Sequence, residues 1–264
     1  MLASVALSLF PGASGATGPN TASDRLVALR LAVANETRDI AAVAKRSDVK
    51  RDVQAFRDAV AKATDAEALL SNPKALKVLL TANGLADQLA YPGLAKRALL
   101  SDPADAKSLA SRLPDSRWKT TAETYQFATK GLDVLRNPQV LNTLADGYAE
   151  VVWRKSLDQA TPGLSDALAF REQAKGVSTA YDILGNGPLR RVVTTALGLP
   201  AQIAFQSVEA QAKAITDRLD LSKLKEPRFV DNFTRRYLIA SATTDGGFGS
   251  DLMTLAARSR SLVV

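Results

Sequence analysis

Helix punctuation recurs through this sequence too often for a sheet protein. Asn72-Pro73, Asp102-Pro103 and Asn137-Pro138 each place a short polar side chain directly before a proline, and Glu226-Pro227 repeats the form with a longer acid. Such an oxygen can accept from the orphan amides of a first turn, and proline suits the first helical position, where its missing N–H costs nothing. Thr161-Pro162 and Gly187-Pro188 follow the pattern more loosely. Thr21-Ala22-Ser23-Asp24 and Thr64-Asp65-Ala66-Glu67 read as capping boxes, the second opening a short helix that ends near Ser71. Gly84 should stop the helix "PKALKVLLTAN", because the position after a helix commonly needs φ > 0. "PADAKSLASRL", "SRWKTTAETYQFA" behind Asp115, and "PQVLNTLADGYAEVVWRKSL" are further expected helices. Leu26, Leu29, Val33, Ile40 and Val43, then Val49, Val53, Phe56 and Val60, recur at three- and four-residue steps, which lines each set along one helical face turned to a core. No stretch alternates with period two, and no hairpin signal joins strand-like runs. The expected fold is all-α: about a dozen helices in a bundle-like array.

Composition narrows the chemistry. The 264 residues contain neither cysteine nor histidine, so disulfides, thiolate or imidazole metal sites, and Ser-His-Asp or Cys-His machinery are excluded. The acid pairs Asp102 with Asp105 and Asp217 with Asp220 fall in cap or turn contexts, where short acids serve backbone amides. Gly246-Gly247-Phe248-Gly249 follows a helix and lacks the lysine of a phosphate loop, so it reads as a linker to "DLMTLAARSRSL", with Leu252, Leu255 and Ala256 on one face. Trp118 and Trp153 sit on apolar helical faces as core anchors. No catalytic, cofactor-binding or metal-binding residue is nominated.

The net charge of +7 is spread among acids, and no basic run is interleaved with aromatics, which argues against nucleic-acid binding. No window approaches the roughly 20 apolar residues that span a bilayer, so the expectation is a soluble protein. In "MLASVALSLFPGASGATGPNTASD" no Lys or Arg precedes the apolar run, which favours a mobile tail over a secretory signal.

The chain also repeats itself. Residues 56–88 align without gaps on 170–202, an offset of 114, with eleven identities that include Phe56 with Phe170, Asn72 with Asn186, Val78 with Val192, Thr81 with Thr195 and Gly84 with Gly198. That period is too long for a solenoid and suggests a duplicated helical module. The expected organisation is a tail over 1–20, a first module over 21–160, a second, shorter module over 161–240, and a linker with a terminal helix over 241–264.

One segment carries a resemblance. "LLSDPADAKSLASRLPDSRWKTTAETYQF", preceded by "LKVLLTANGLADQ", resembles the domain family of unknown function numbered 1217. The matching positions are Gly84-Leu85, Leu99 to Pro103, Asp105, Ser108, Ala110, Leu113, Asp115, Arg117, Trp118 and Phe127; Tyr125 and Phe127 only approximate the family's aromatic pair. "KRSDVKRDVQAFRDAV" looks like the family's opening helix and "FVDNFTRRYLIA" like its closing one, so the likeness covers about residues 25–240. The resemblance implies a helical protein usually encoded among bacterial flagellar genes, with no catalytic set. The expectation is a non-enzymatic structural or interaction protein of the flagellum with a flagellar protein partner, located in the cytoplasm or at the flagellum. The alternative is a basic cytoplasmic adaptor or regulator that binds nucleic acid or an acidic protein. A carboxylate hydrolase stands third and would need a pocket with two acids about 5–10 Å apart.

Overall fold

The computed structural model describes residues 21–246, and no strand occurs among them. The expected N-terminal tail and the expected C-terminal amphipathic helix therefore lie outside the described residues. The first helix, α1 (Ala22–Ala44), opens on the expected capping box: Thr21 accepts from the Asp24 amide, and Asp24 accepts from the Thr21 amide. Its buried face is Arg25, Leu29, Ala32 and Val43, while Val33 of the expected stripe is exposed. Then come α2 (Ser47–Lys62), α3 (Ala66–Leu70) and α4 (Pro73–Ala82). Asp65, not Thr64, caps α3: its Oδ1 accepts from the Ala68 amide at 2.7 Å, and the Thr64 hydroxyl turns to Asp65 instead. Asn72 caps α4 as expected, accepting from the Lys74 and Ala75 amides.

After α5 (Pro92–Leu99) the structure departs from the expected helix "PADAKSLASRL", keeping only its end as α6 (Leu109–Arg112). Asp102 and Asp105 accept from amides two residues on, at 2.9 and 2.8 Å, which folds residues 102–108 into successive turns. Ser108 then caps α6. Short side chains that capture nearby amides compete with the helix, and here they win. Next are α7 (Ser116–Tyr125) and α8 (Phe127–Lys130), separated by Gln126 in the left-handed conformation at φ 49°. A left-handed residue between them lets Tyr125 and Phe127 stack, with centroids 5.6 Å apart.

The chain continues with α9 (Pro138–Leu157), α10 (Leu164–Gln173) and α14 (Pro227–Gly246), with α11 (Ala180–Gly185), α12 (Gly187–Ala196) and α13 (Val208–Thr216) between the last two. The Thr161-Pro162 pair does not cap α10; Gly163, at φ 85°, takes that place. Residues 241–246, expected to begin a linker, continue α14. Helix α1 packs on α9 and α14, α4 on α9, and α12 on α10 and α14. One continuous core results, from Leu29 to Leu238, with Trp118 and Trp153 buried in it. No helix among the described residues is long and apolar enough to cross a membrane.

The aligned segments have matching local structure. Helices α3 and α11 begin at Ala66 and Ala180, and α4 and α12 cover 73–82 and 187–196, all at the offset of 114. Asn72 and Asn186 both cap, and Gly84 and Gly198 both take positive φ, at 72° and 64°. The residue after each glycine donates back to its helix, Leu85 to the Leu80 carbonyl and Leu199 to the Thr194 carbonyl, at 2.8 and 2.9 Å.

Candidate functional site

Where the two segments meet, the corner Pro114–Arg117 is wedged between them. Asp115 caps α7 by accepting from the Arg117 amide at 3.1 Å, and the same carboxylate accepts from the Arg117 guanidinium at Nε (2.9 Å) and Nη2 (2.6 Å). Arg117 Nη1 donates to the Gly84 carbonyl, and Nη2 reaches Asp87 at 3.1 Å. The positive φ of Gly84 turns the chain from α4 toward Asp87, within reach of this arginine. Burial works against charge on Arg117, yet Asp115 and Asp87 outweigh it and hold its pKa above the ordinary value. Burial likewise opposes ionised Asp87, and Arg117 overcomes it, so Asp87 titrates below the usual carboxylate range.

The second segment closes on the same corner. Gly185 stands where the first segment has Ser71, and a Cβ there would meet the Pro114 carbonyl and lie 2.7 Å from the Asp115 nitrogen. Gly187, in place of Pro73, leaves room for the Asp87 carboxylate, which would be 3.3 Å from a Cβ at that position. A carboxylate beside the first turn of α12 is favoured by the helix dipole. The Asn186 side chain donates to Gln173 Oε1 at 2.7 Å.

Two hollows of about 470 and 200 Å3 share Gly84, Arg154 and Gln173. In the larger, Arg154 pairs with Glu172 at 2.6 Å and with Glu150 at 3.0 Å. Burial raises the pKa of Glu150 against the pull of Arg154. The smaller is lined by three aspartates. Asp166 is bidentate on Arg191, both contacts 2.6 Å, and Asp87 is held by Arg117. The third, Asp158, accepts from the Ser165 amide at 2.8 Å and has a pKa raised chiefly by burial. Lys155 beside it is lowered by burial. The groove is thus one of mutually engaged charges that ties α4, α7, α9, α10 and α12 together. The sequence offers no motif for Glu172 or Gln173, whose partners Arg154 and Asn186 come from other elements; for Arg154 only the spacing of four from Glu150 on α9 is a local signal. Asp102, Asp105 and Asp220 accept from nearby backbone amides and Asp217 pairs with Lys213 at 2.9 Å, all in turn or helix-end settings as expected.

The two segments also differ in their exposed side chains. In the first segment Glu67 and Lys96 form an exposed ion pair at 3.0 Å. The positions 114 residues on are Tyr181 and Ala210, on the packed pair α11 and α13. Nearby in sequence, Phe205 is 91% exposed and Val208 is half exposed. Tyr91, the counterpart of Phe205, is 60% exposed. The second segment therefore has uncharged groups at the two positions where the first has an ion pair, while both segments expose an aromatic ring, at Tyr91 and Phe205.

A family model described as a protein of unknown function (DUF1217) matches residues 82–230. The match starts at Ala82, so the segment resembling the opening helix lies outside it, as does most of the closing one. Among solved structures, the crystal structure of protein AGR_C_984 from Agrobacterium tumefaciens is similar in fold, with a TM-score of 0.71 and 20% identity, covering 86% of this chain and 96% of that one. No curated protein matches.

Proposed function

The chain belongs to the DUF1217 family, whose function is unknown, and from that premise we propose that it is a non-enzymatic helical interaction protein associated with the bacterial flagellum, serving in assembly, export or the motor. The flagellar part rests on the sequence resemblance described above. The interaction part rests on one observation: Phe205 stands 91% exposed, close in sequence to half-exposed Val208, whose helix packs on that of Tyr181, in a segment whose counterpart carries an ion pair. Exposed aromatic groups of this kind anchor protein interfaces. The coincidence of caps and glycines at a fixed offset supports a duplicated module whose second copy changed its surface.

The test is a count of flagella per cell by electron microscopy in a strain lacking this chain. Fewer or truncated flagella are expected, and the native gene should restore them. A Phe205→Asp copy should fail to restore them while accumulating normally, because substitutions at exposed sites usually shift stability by no more than about 0.5 kcal/mol. Normal flagella on swimming cells would remove the proposal. Full rescue by Phe205→Asp would remove the assigned surface.

A second reading, a basic adaptor for an acidic partner, draws on the hollow between α2 and α9. It measures about 510 Å3 and is lined by Lys50, Arg51 and Arg57 with Asp146 as the acid. Arg57 Nε is buried there without a hydrogen-bond partner. An adaptor of this kind should bind anionic partners with an affinity that falls steeply as salt rises. Binding indifferent to salt would count against it.

A further inference from the structure

Helix α1 has an apolar row that its core contacts do not use. Val27, Leu31 and Ala34 are spaced four and three residues apart and share one face. Val27 and Leu31 are 51% and 52% exposed, whereas Arg25, Leu29 and Ala32 form the buried row on the opposite side. Continuing the exposed row by one step at each end reaches Asp24 and Arg38, both at the surface. These opposite charges stand seven residues before and seven after Leu31, with Val27 and Ala34 between them and it.

A face with this spacing is complementary to itself when turned end for end. A two-fold axis at Leu31 would pack Leu31 on its own copy and set Asp24 of each chain against Arg38 of the other, as an isologous contact requires. We infer that this face of α1 is where a second copy of the chain docks, antiparallel, through Val27, Leu31 and Ala34 with an Asp24–Arg38 pair at each end. In the single chain Asp24 accepts from Thr21 and Arg38 pairs with its neighbour Asp39 at 2.9 Å. The Arg38–Asp39 pair is exposed and weak, and Asp24 keeps its cap through Oδ2 alone, which leaves Oδ1 for Arg38 of the second copy. The inference is independent of the flagellar proposal.

One helix per copy is a small contact, below the standard interface of about 800 Å2 per partner, so association should be weak and reversible. Sedimentation equilibrium of the full chain, from low to several hundred micromolar, should show a monomer–dimer equilibrium that weakens with salt. Leu31→Glu sets two carboxylates on the axis and should weaken it at least tenfold, on the order of one full decade in Kd. Arg38→Asp and Asp24→Lys should each weaken it alone. An equimolar mixture of those two variants should recover it, because the heterodimer again has opposite charges at both ends. Circular dichroism of each variant confirms that the fold persists. A chain monomeric at every concentration, a dimer indifferent to Leu31→Glu, or a mixture no tighter than its components would each overturn the inference.

Discussion

Arg117→Met will lower the unfolding free energy by about 3–5 kcal/mol, measured by urea denaturation at neutral pH, because it leaves the Asp115 carboxylate buried without its counter-charge. Arg117 and Asp115 have only 9% and 7% of their side-chain surface exposed, so water cannot replace the lost partner. The substitution also strands the Gly84 carbonyl, which the guanidinium satisfies. Arg117→Met combined with Asp115→Asn should recover part of the loss, since asparagine still caps α7 and removes the charge buried at 115, while Asp87 and the Gly84 carbonyl stay without the guanidinium. A single variant within about 1 kcal/mol of the native chain would mean that the ion pair contributes little beyond its surroundings.

The same arginine gives the protein an acid limit. Asp87 has a folded pKa below its unfolded value of about 3.9, so its contribution is present above that pH and is lost as pH falls through the lower, folded value. The gap in urea midpoint between the native chain and Arg117→Met should therefore narrow as pH drops below about 4. A gap that stays constant down to strong acid would show that the pair with Asp87 does not contribute.

Gly185→Val should be nearly as damaging, at about 3 kcal/mol or more, because no rotamer choice relieves the clash. The added carbon would meet backbone, the Pro114 carbonyl and the Asp115 nitrogen, not the far end of a flexible side chain. Even Gly185→Ala should cost stability. Gly93→Ala is the contrast: it lies within α5 with nothing inside 4 Å of a Cβ, and should stabilise by about 0.4–1 kcal/mol. Thermal unfolding of the three variants separates these outcomes. Equal melting temperatures for Gly185→Ala and the native chain would show that the corner can move aside.

These two sites mark the line between what the chain declares locally and what it does not. Caps and stops depend on a few adjacent residues, so Thr21, Asn72, Asn137 and Gly84 are legible in the sequence. Trp118 and Trp153 are legible as anchors because large apolar groups on a helical face have few other places to go. Arg117 is visible there only as a member of a resemblance, since its role depends on Gly84 and Asp87, some thirty residues earlier. Arg25 has the pattern of an ordinary surface base and is instead buried, donating to the Pro162 carbonyl and the Ser241 hydroxyl. The turns at Asp102 and Asp105 carry the letters of a helix start, because a short acid before a helical pattern can serve either structure. The surface difference between the segments is present in the letters, as Glu67 against Tyr181, but its exposure is not.

Arg25 also decides how the chain would respond to force. It joins the start of α1 to the end of α14 through Ser241, so both ends of the folded body leave from one pole. Tension applied between those two ends would peel α1 from α14 one contact at a time, as a zipper opens, and would not slide them along their whole length. Peeling loads few contacts at once. A chain held at a single end would escape that load.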